Sequence, residues 1–260
     1  MQRLEILLAV VVAIAAFVYL VLPLAIYFTQ KFRSSFAVAP IDPAHFMPDA
    51  KSWFDQNQHR LETMGFEKVG FFRNTDTAPN VSTHFVMLSN RAAGDRATIT
   101  MTTASVENGT STTVYLVEFT TEFDDGSEIS TNNNGQPMAF IYDDTKRIFR
   151  LPEVFDPTLL YRVHGLMIAD YAAQKTKQQP PVGGEVACLR ANVRAEFERQ
   201  VAAGLLRRGD EPDVYQATLT GAYRMMWAHL PPFRDSQMSA RRKQAAELLK
   251  RAERFAIPAI

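Results

Sequence analysis

The sequence is short of the residues that build common catalytic and metal-binding motifs. It contains one cysteine, Cys188, so no intrachain disulfide can form. None of its five histidines has another histidine three or four residues away, which excludes a zinc-binding pair on one helix. A glycine-rich phosphate loop and a nucleophile elbow are also missing. Enzymes with dispersed catalytic residues are not excluded by these absences.

Charged residues, amides and glycine are absent from the 23-residue stretch that begins at Ile6 and ends at Phe28. A helix of this length covers about 34 Å, enough for a hydrocarbon core of about 30 Å. Lys31 and Arg33 follow at the expected lipid–water boundary. The pattern predicts a transmembrane anchor with the lipid bilayer as its partner. The alternative is a cleaved secretory signal, whose apolar region is shorter, about 7–15 residues.

Pro23 and the flanking charges add two expectations about this stretch. Proline removes one helical hydrogen bond and is expected to kink the last turn, which a spanning helix tolerates. Lys31 and Arg33 after the stretch outweigh Arg3, which Glu5 offsets, before it. The positive-inside rule therefore predicts a single-pass protein of the cell membrane with its soluble part in the cytoplasm.

Four segments are predicted along the chain: an anchor (residues 1–29), a proline-containing linker (30–48), an α+β domain (49–178) and a helical C-terminal subdomain (184–260). The predicted fold class is α+β, with an N-terminal transmembrane helix, a helix-backed antiparallel β-sheet and the helical subdomain. Formal charge is −5 over residues 49–183 and +4 over residues 184–260. The two parts are expected to attract each other, or the basic part to face an anionic surface.

Alternation with period two predicts strands near residues 96–103 and 113–123. One side of these strands is apolar and should pack against a helix over residues 49–64. The other side carries Glu118, Thr120 and Glu122. A solvated outer face explains this polarity, and a binding surface for a polar partner is the alternative. These three residues are therefore candidate binding residues.

His164 is the remaining candidate binding residue, because it lies on a predicted helix beside Tyr161 and Arg162. The acidic residues 118–128 lack the spacing of a calcium loop, and the dipeptide Asp125-Gly126 is explained by a hairpin turn. No metal, no cofactor and no catalytic residue is predicted. Cys188 falls in a helical pattern, where a small buried apolar role is favoured over a nucleophile.

Two basic regions allow other interpretations. Residues 204–227 have the order helix, charged turn, short β-like run and helix, which is typical of a winged-helix domain as well as of a structural helix pair. The modest positive charge argues against nucleic-acid binding, so no nucleic acid is expected as a partner. The last helix carries Arg242, Lys250 and Arg251 on one side. It is expected to be an ordinary packed helix, or a helix lying on an anionic leaflet.

The segment VEFTTEFDDGSEISTNNN, residues 117–134, resembles a recurring segment of bacterial single-pass membrane proteins that have no known activity. Such proteins share an N-terminal membrane helix, an antiparallel β region and a helical end with a Gly-Ala-aromatic stretch, which corresponds here to Gly221, Ala222 and Tyr223. The resemblance implies a bacterial, membrane-anchored α+β protein. It implies no activity, cofactor or catalytic residue.

These patterns together predict a membrane-tethered, non-catalytic interaction or sensing module that contacts a protein partner. A membrane-anchored enzyme with dispersed catalytic residues is the first alternative, and a membrane-tethered winged-helix regulator is the second. A concave site where His164 meets Glu118 or Glu122 would favour the enzyme. A two-stranded wing beside a basic helix would favour the regulator.

Overall fold

The structure is a computed structural model that describes residues 2–35, 37–46, 48–74, 80–105 and 111–255. Its fold is α+β, as the sequence predicts, and its N-terminal helix is long and apolar enough to cross a membrane. The helices are α1 (Gln2–Ala16), α2 (Leu22–Thr29), α3 (Pro48–Glu62), α4 (Pro157–Ala172), α5 (Glu185–Ala202), α6 (Leu219–Ala228) and α7 (Phe233–Ala252). The strands are β1 (Lys31–Arg33), β2 (Val38–Pro40), β3 (Glu67–Asn74), β4 (Val81–Asn90), β5 (Asp95–Ser105), β6 (Ser111–Phe123), β7 (Glu128–Asn132), β8 (Lys146–Arg150), β9 (Lys177–Gln178), β10 (Leu206–Arg208) and β11 (Val214–Ala217).

The chain divides into two compact units, each built from three separate segments. Unit 1 comprises Met1–Ser35, Gln136–Ile141 and Arg190–Ala240. Unit 2 comprises Phe36–Gly135, Tyr142–Leu189 and Arg241–Ile260. These units do not coincide with the four predicted segments, because long-range pairing joins stretches that are far apart in sequence. Residues 30–48, predicted as a linker, contain strands β1 and β2 and a 3-10 turn at Pro43–His45.

Unit 2 is built on a sheet with the strand order β2-β3-β4-β5-β6-β7-β8, and β9 pairs with the end of β6. Neighbouring strands are antiparallel except β7 and β8, which are parallel. The expected antiparallel sheet is thus a mixed sheet. Parallel neighbours need a crossover connection, here residues 133–145, and such a connection leaves no period in the sequence.

The core of unit 2 lies between one face of this sheet and helices α3 and α4. Ile99 and Phe119 on the sheet and Phe54 on α3 are completely buried, in agreement with the predicted apolar faces. The helix α4 begins at two residues that favour a helix start: the Asp156 carboxylate accepts a hydrogen bond from the Thr158 backbone N–H at 3.0 Å, and Pro157 occupies the first turn. Leu248 of α7 completes this core.

Unit 1 contains the apolar N-terminal helix and a three-stranded sheet in the order β1-β11-β10. The helix is interrupted by a π-helical turn at Phe17–Val21, directly before the α2 segment that contains Pro23. The strands β10 and β11 form an antiparallel hairpin between α5 and α6. The C-terminal part, predicted to be helical with a single short β-like run, therefore also contributes a small sheet.

Candidate functional site

His164, a predicted binding residue, lies inside the core of unit 2. Its side chain has 0% exposure, its Nε2 lies 2.9 Å from Thr121 Oγ1, and its Nδ1 lies 3.1 Å from Thr131 Oγ1. Burial lowers the pKa of His164 from 6.5 to about 4, because the charged imidazolium would lose its hydration. Both ring nitrogens are therefore occupied by protein groups, and the ring is neutral at pH 7.

The hydrogen bonds of His164 continue to a buried carboxylate, Asp95. This carboxylate accepts hydrogen bonds from Thr121 Oγ1 at 2.6 Å, the Tyr161 hydroxyl at 2.7 Å and Lys177 Nζ at 2.7 Å. Burial and the neighbouring Asp95 raise the pKa of Tyr161. A buried carboxylate with three donors is well compensated. This network joins β5, β6, α4 and β9, so its chemistry is suited to holding unit 2 together.

Glu118, Thr120 and Glu122 lie on the opposite face of β6 from Thr121 and His164. The period of two places alternate residues of a strand on opposite faces of the sheet. Glu118 accepts hydrogen bonds from Ser130 Oγ and from Asn132 Nδ2, the latter at 2.9 Å. The four predicted binding residues are thus divided between two faces, and His164 does not meet Glu118 or Glu122.

This second sheet face is a half-buried charged cluster instead of a fully solvated surface. Glu122 forms a salt bridge with Arg96, and the two side chains are only 18% and 11% exposed. Lys146 Nζ lies 3.2 Å from a carboxylate oxygen of Glu128. Burial first, and then the negative charges of Glu118 and Glu122, raise the pKa of Glu128. The cluster therefore consists largely of paired charges.

Cys188 lies beside this charged cluster. Its Sγ is 3.3 Å from Arg96 Nη1 and 3.6 Å from a carboxylate oxygen of Glu122. Burial raises the pKa of the thiol, which keeps the weakly nucleophilic protonated form at pH 7. The expected small apolar role needs correction, since the thiol is half-buried among charged side chains.

The hairpin turn at Asp125 explains the acidic residues near the end of β6. The Asp125 carboxylate lies 2.8 Å from Lys175 Nζ and accepts hydrogen bonds from Ser127. The Lys175 ammonium and the Ser127 donors lower the pKa of Asp125. Across the residues that the structure describes, no group of three His, Cys, Asp or Glu side chains is placed to hold a metal ion.

The clearest functional geometry lies in unit 1, at the break in the apolar helix. In an α-helix the N–H of residue 23 would donate to the carbonyl of Tyr19, and proline has no N–H. The Tyr19 carbonyl instead accepts a hydrogen bond from Trp227 Nε1 at 3.0 Å. The next carbonyl, of Leu20, accepts one from the Tyr223 hydroxyl at 2.8 Å. Two aromatic side chains of α6 thus satisfy backbone groups of the helix break.

The Tyr19 side chain makes a further contact in unit 1. Its hydroxyl donates a hydrogen bond to the Pro231 carbonyl, just beyond α6. At the end of α2, the Arg207 guanidinium lies over the Tyr27 ring, 5.3 Å from its centroid. From Tyr19 to Tyr27, the helix is therefore held by side chains and backbone groups that follow it by about 200 residues in sequence.

Beside this helix break, unit 1 has an apolar cleft of about 610 Å³. Trp227 and Tyr223 form part of its wall, together with Leu205, which directly precedes β10. Leu219 and Phe233 lie at the cleft and remain 50% and 43% exposed. A concave, mostly apolar site of this size falls within the range of about 300–1,000 Å³ that is typical of small-molecule sites.

The hairpin that the winged-helix alternative requires is present, but the arginines on it and beside it already have partners within unit 1. Arg208 Nη2 lies 2.7 Å from Glu198, and Arg194 Nη2 lies 3.4 Å from Asp213. The strand β1 covers the free edge of β11. A basic surface for phosphates is thus partly neutralised in this hairpin.

Two features of the sequence relate to the helix break, but no sequence pattern links one feature to the other. Pro23 predicted a kink, and the stretch that includes Tyr223 and Trp227 predicted a helix. Hydrogen bonds between residues more than 200 positions apart leave no periodic pattern, so the contact could not be predicted from local spacing.

Comparisons of the chain with protein-family models, with curated proteins and with solved structures found no match.

Proposed function

We propose that the protein is a single-pass membrane protein whose folded part works as a non-catalytic interaction or sensing module at the membrane surface. The observation that carries this proposal is the pair of hydrogen bonds from Trp227 and Tyr223 to the Tyr19 and Leu20 carbonyls. They make the apolar helix a structural part of unit 1, and a structural part is expected to stay in the mature protein.

The location of β1 supports retention of the helix. Phe32 in β1 packs against Phe197, with ring centroids 6.2 Å apart, and the strand pairs with β11. The small residues Ala37, Val38 and Ala39 would be the site of a signal cleavage. Cleavage after Ala39 would remove α1, α2 and β1, together with the first two residues of β2. Unit 1 would then lose an edge strand and the aromatic contact of Phe32 with Phe197, which is expected to destabilise that unit.

The depth of the contacts supports a position at the membrane surface. Tyr19 lies about 20 Å along the helix from Ile6 and about 14 Å from Phe28, at about 1.5 Å per residue. By length alone these contacts lie close to the middle of the apolar stretch. Residues 3–17 are exposed, however, and packing of the helix against unit 1 begins at residues 18 and 19. The proposed lipid–water boundary therefore lies near Tyr19, where the folded part begins. Tyr and Trp side chains favour this boundary, where the ring is apolar and the polar atom finds a partner.

A non-catalytic role is supported by the environment of the predicted site residues. His164 has both ring nitrogens hydrogen-bonded within a fully buried core, and Glu122 is paired with Arg96. A general acid or base must be within hydrogen-bond reach of its substrate. The proposed cytoplasmic side rests on Lys31 and Arg33 at the end of the helix.

The experiment combines three measurements on full-length protein with a C-terminal tag. Alkaline carbonate should leave the protein in the membrane pellet, and the intact mass should include residues 2–39. Release into the supernatant, or a mass that lacks the helix, would contradict the membrane proposal. Protease added to intact spheroplasts should spare the tag, and removal of the tag would place the soluble part outside the cytoplasm.

A further inference from the structure

The cleft of unit 1 combines an apolar wall with a small number of polar groups. Its apolar lining includes Ile141, Leu205, Leu219, Tyr223, Trp227 and Phe233. Thr220, Arg224 and Gln237 are its polar residues. A largely apolar wall with few polar groups is the usual construction of a site for an apolar ligand with one polar end.

Arg224 is the cationic group of the cleft. Its Nε donates a hydrogen bond to the Ala139 carbonyl at 2.6 Å, which fixes one edge of the guanidinium. Within the described ranges of the chain, no carboxylate forms a salt bridge with Arg224. The guanidinium carries five N–H donors in a fixed plane, and its remaining donors match the oxygens of a phosphate.

The wall of the cleft is shared with the membrane helix contact. Trp227 and Tyr223 line the cleft and also hydrogen-bond to the Tyr19 and Leu20 carbonyls. The cleft consequently lies at the depth of residues 19 and 20, inside the apolar stretch. At that depth the neighbouring molecules are phospholipids, whose chains face hydrocarbon and whose phosphates face the boundary.

We propose that this cleft binds one acyl chain of a bilayer phospholipid, with the lipid phosphate near Arg224. The proposal rests on the membrane position given under Proposed function. Leu219 and Phe233 are half-exposed large apolar side chains, and an acyl chain would remove them from water or head groups. The chain enters from the side of the bilayer, so no aqueous transfer of the lipid is required.

Trp227 provides a local probe for the proposed lipid. The chain has two tryptophans, and Trp53→Phe leaves Trp227 alone. This variant is reconstituted in vesicles of phosphatidylcholine and phosphatidylglycerol with brominated acyl chains, and the vesicles are then dissolved in excess detergent. Bromine quenches tryptophan only in close contact. Lipid of the bulk bilayer is diluted away by detergent, whereas a chain held in the cleft continues to quench.

The expected result is quenching that persists in detergent, together with one lipid phosphate per protein chain. The cleft-filling variant Ala203→Leu/Thr220→Phe should lose both the persistent quenching and the bound lipid phosphate, since it adds bulk at two exposed lining positions. Ala246→Phe, which adds a ring at an exposed position on α7 in unit 2, is the matched control and should keep both. Circular dichroism checks that the variants retain their helix content.

Three outcomes would overturn the lipid proposal. The first is complete recovery of Trp227 fluorescence in detergent. The second is equal retention of brominated lipid by the cleft-filling variant and by the control variant. The third is persistent quenching without lipid phosphate, which would identify a free fatty acid as the occupant. Each can occur while carbonate extraction still leaves the protein in the membrane, so failure of the lipid site is distinguished from failure of the membrane proposal.

Arg224→Gln tests the polar end of the site. It removes the charge while the exposed position tolerates the change. Retention of brominated phosphatidylglycerol over brominated phosphatidylcholine should fall in this variant, with total acyl-chain retention less affected. An unchanged preference would show that Arg224 does not contact the phosphate and would overturn that part of the proposal.

Discussion

At the scale of single residues, burial of His164 couples the stability of unit 2 to pH. The unfolded state binds a proton near pH 6.5, and the folded state binds one only near pH 4. Between these values the unfolded state carries more protons, so the free energy of unfolding falls as the pH is lowered. The difference between these two pKa values corresponds to a change of at most about 3 kcal/mol in the free energy of unfolding from His164.

His164→Gln is expected to flatten this pH dependence. The substitution lowers stability at pH 7, because it disturbs the hydrogen bonds to Thr121 and Thr131, but it removes the group that titrates. Urea unfolding in detergent micelles at pH 7 and pH 4.5, followed by circular dichroism, compares the two slopes. An equal loss of stability on acidification in both proteins would contradict the assignment to His164.

At position 221, the close approach of Leu205 leaves no room for a side chain larger than that of glycine. A Cβ atom at this position would lie 1.9 Å from the Leu205 carbonyl oxygen. Gly221→Ala must therefore displace α6 from the residue that precedes β10, at a cost of about 1–3 kcal/mol or more. The midpoint of thermal unfolding in micelles should fall. Thr220→Ala, at the exposed neighbouring position, is the control and should change stability by about 0.5 kcal/mol or less.

At the scale of secondary-structure elements, the break at Pro23 and the helix α6 should behave as one energetic unit. Trp227→Phe leaves the Tyr19 carbonyl without its indole donor, which should cost about 1–3 kcal/mol in a water-poor environment. Pro23→Ala restores a backbone N–H that can donate to this carbonyl. The cost of Trp227→Phe should therefore be smaller in the Pro23→Ala background.

A double-mutant cycle measures this coupling through thermal unfolding in micelles. Trp53→Phe provides the control, because Trp53 belongs to unit 2 and its substitution should add independently to Pro23→Ala. If Trp227→Phe costs the same with proline and with alanine at position 23, the indole does not replace the missing helical hydrogen bond.

The elements themselves could largely be predicted, because each carries a local pattern. Alternation gave β5 and β6, and Asp156 with Pro157 marked the start of α4. The strand β8 was missed because its parallel partner is reached through a loop and not through a hairpin. For the candidate site, the sequence predicted the helices that carry the individual residues. It could not predict that these residues come together, because their contacts join segments that are far apart in the chain.

Local sequence patterns also could not predict the burial of charged groups. Glu118 and Glu122 alternate with apolar residues as residues of a solvated face would. Arg96 nevertheless pairs with Glu122, and the Arg96 and Glu122 side chains are largely buried. Alternation identifies which residues share a face, and it carries no information on what covers that face.

At the scale of the whole molecule, the N-terminal segment is expected to be required for unit 1 to fold. A protein that begins at Pro40 lacks α1, α2, β1 and the first two residues of β2. As a result β11 loses an edge partner and Phe197 loses the Phe32 ring. We expect this truncated protein to expose apolar surface and aggregate. Size-exclusion chromatography and binding of a hydrophobic dye, beside the full-length protein in micelles, provide the measurement.

The matched comparison is a protein that lacks only residues 2–17, a segment in which residues 3–17 are exposed. It keeps the Tyr19 and Leu20 carbonyls and β1, and it should be better folded than the protein that begins at Pro40. Equal behaviour of the two truncated proteins would contradict a structural role of residues 18–35.

The pairing of β1 with β11 also sets an order of events during synthesis. Lys31 pairs with Gln216, so the ribosome must add 185 residues after Lys31 before the partner of that residue exists. At about 5–20 residues per second this takes about 10–40 s. The apolar helix emerges at the start of this interval and is available to the insertion machinery while its later contacts are still unsynthesised. With the proposed membrane location, insertion of the helix would precede its contact with α6.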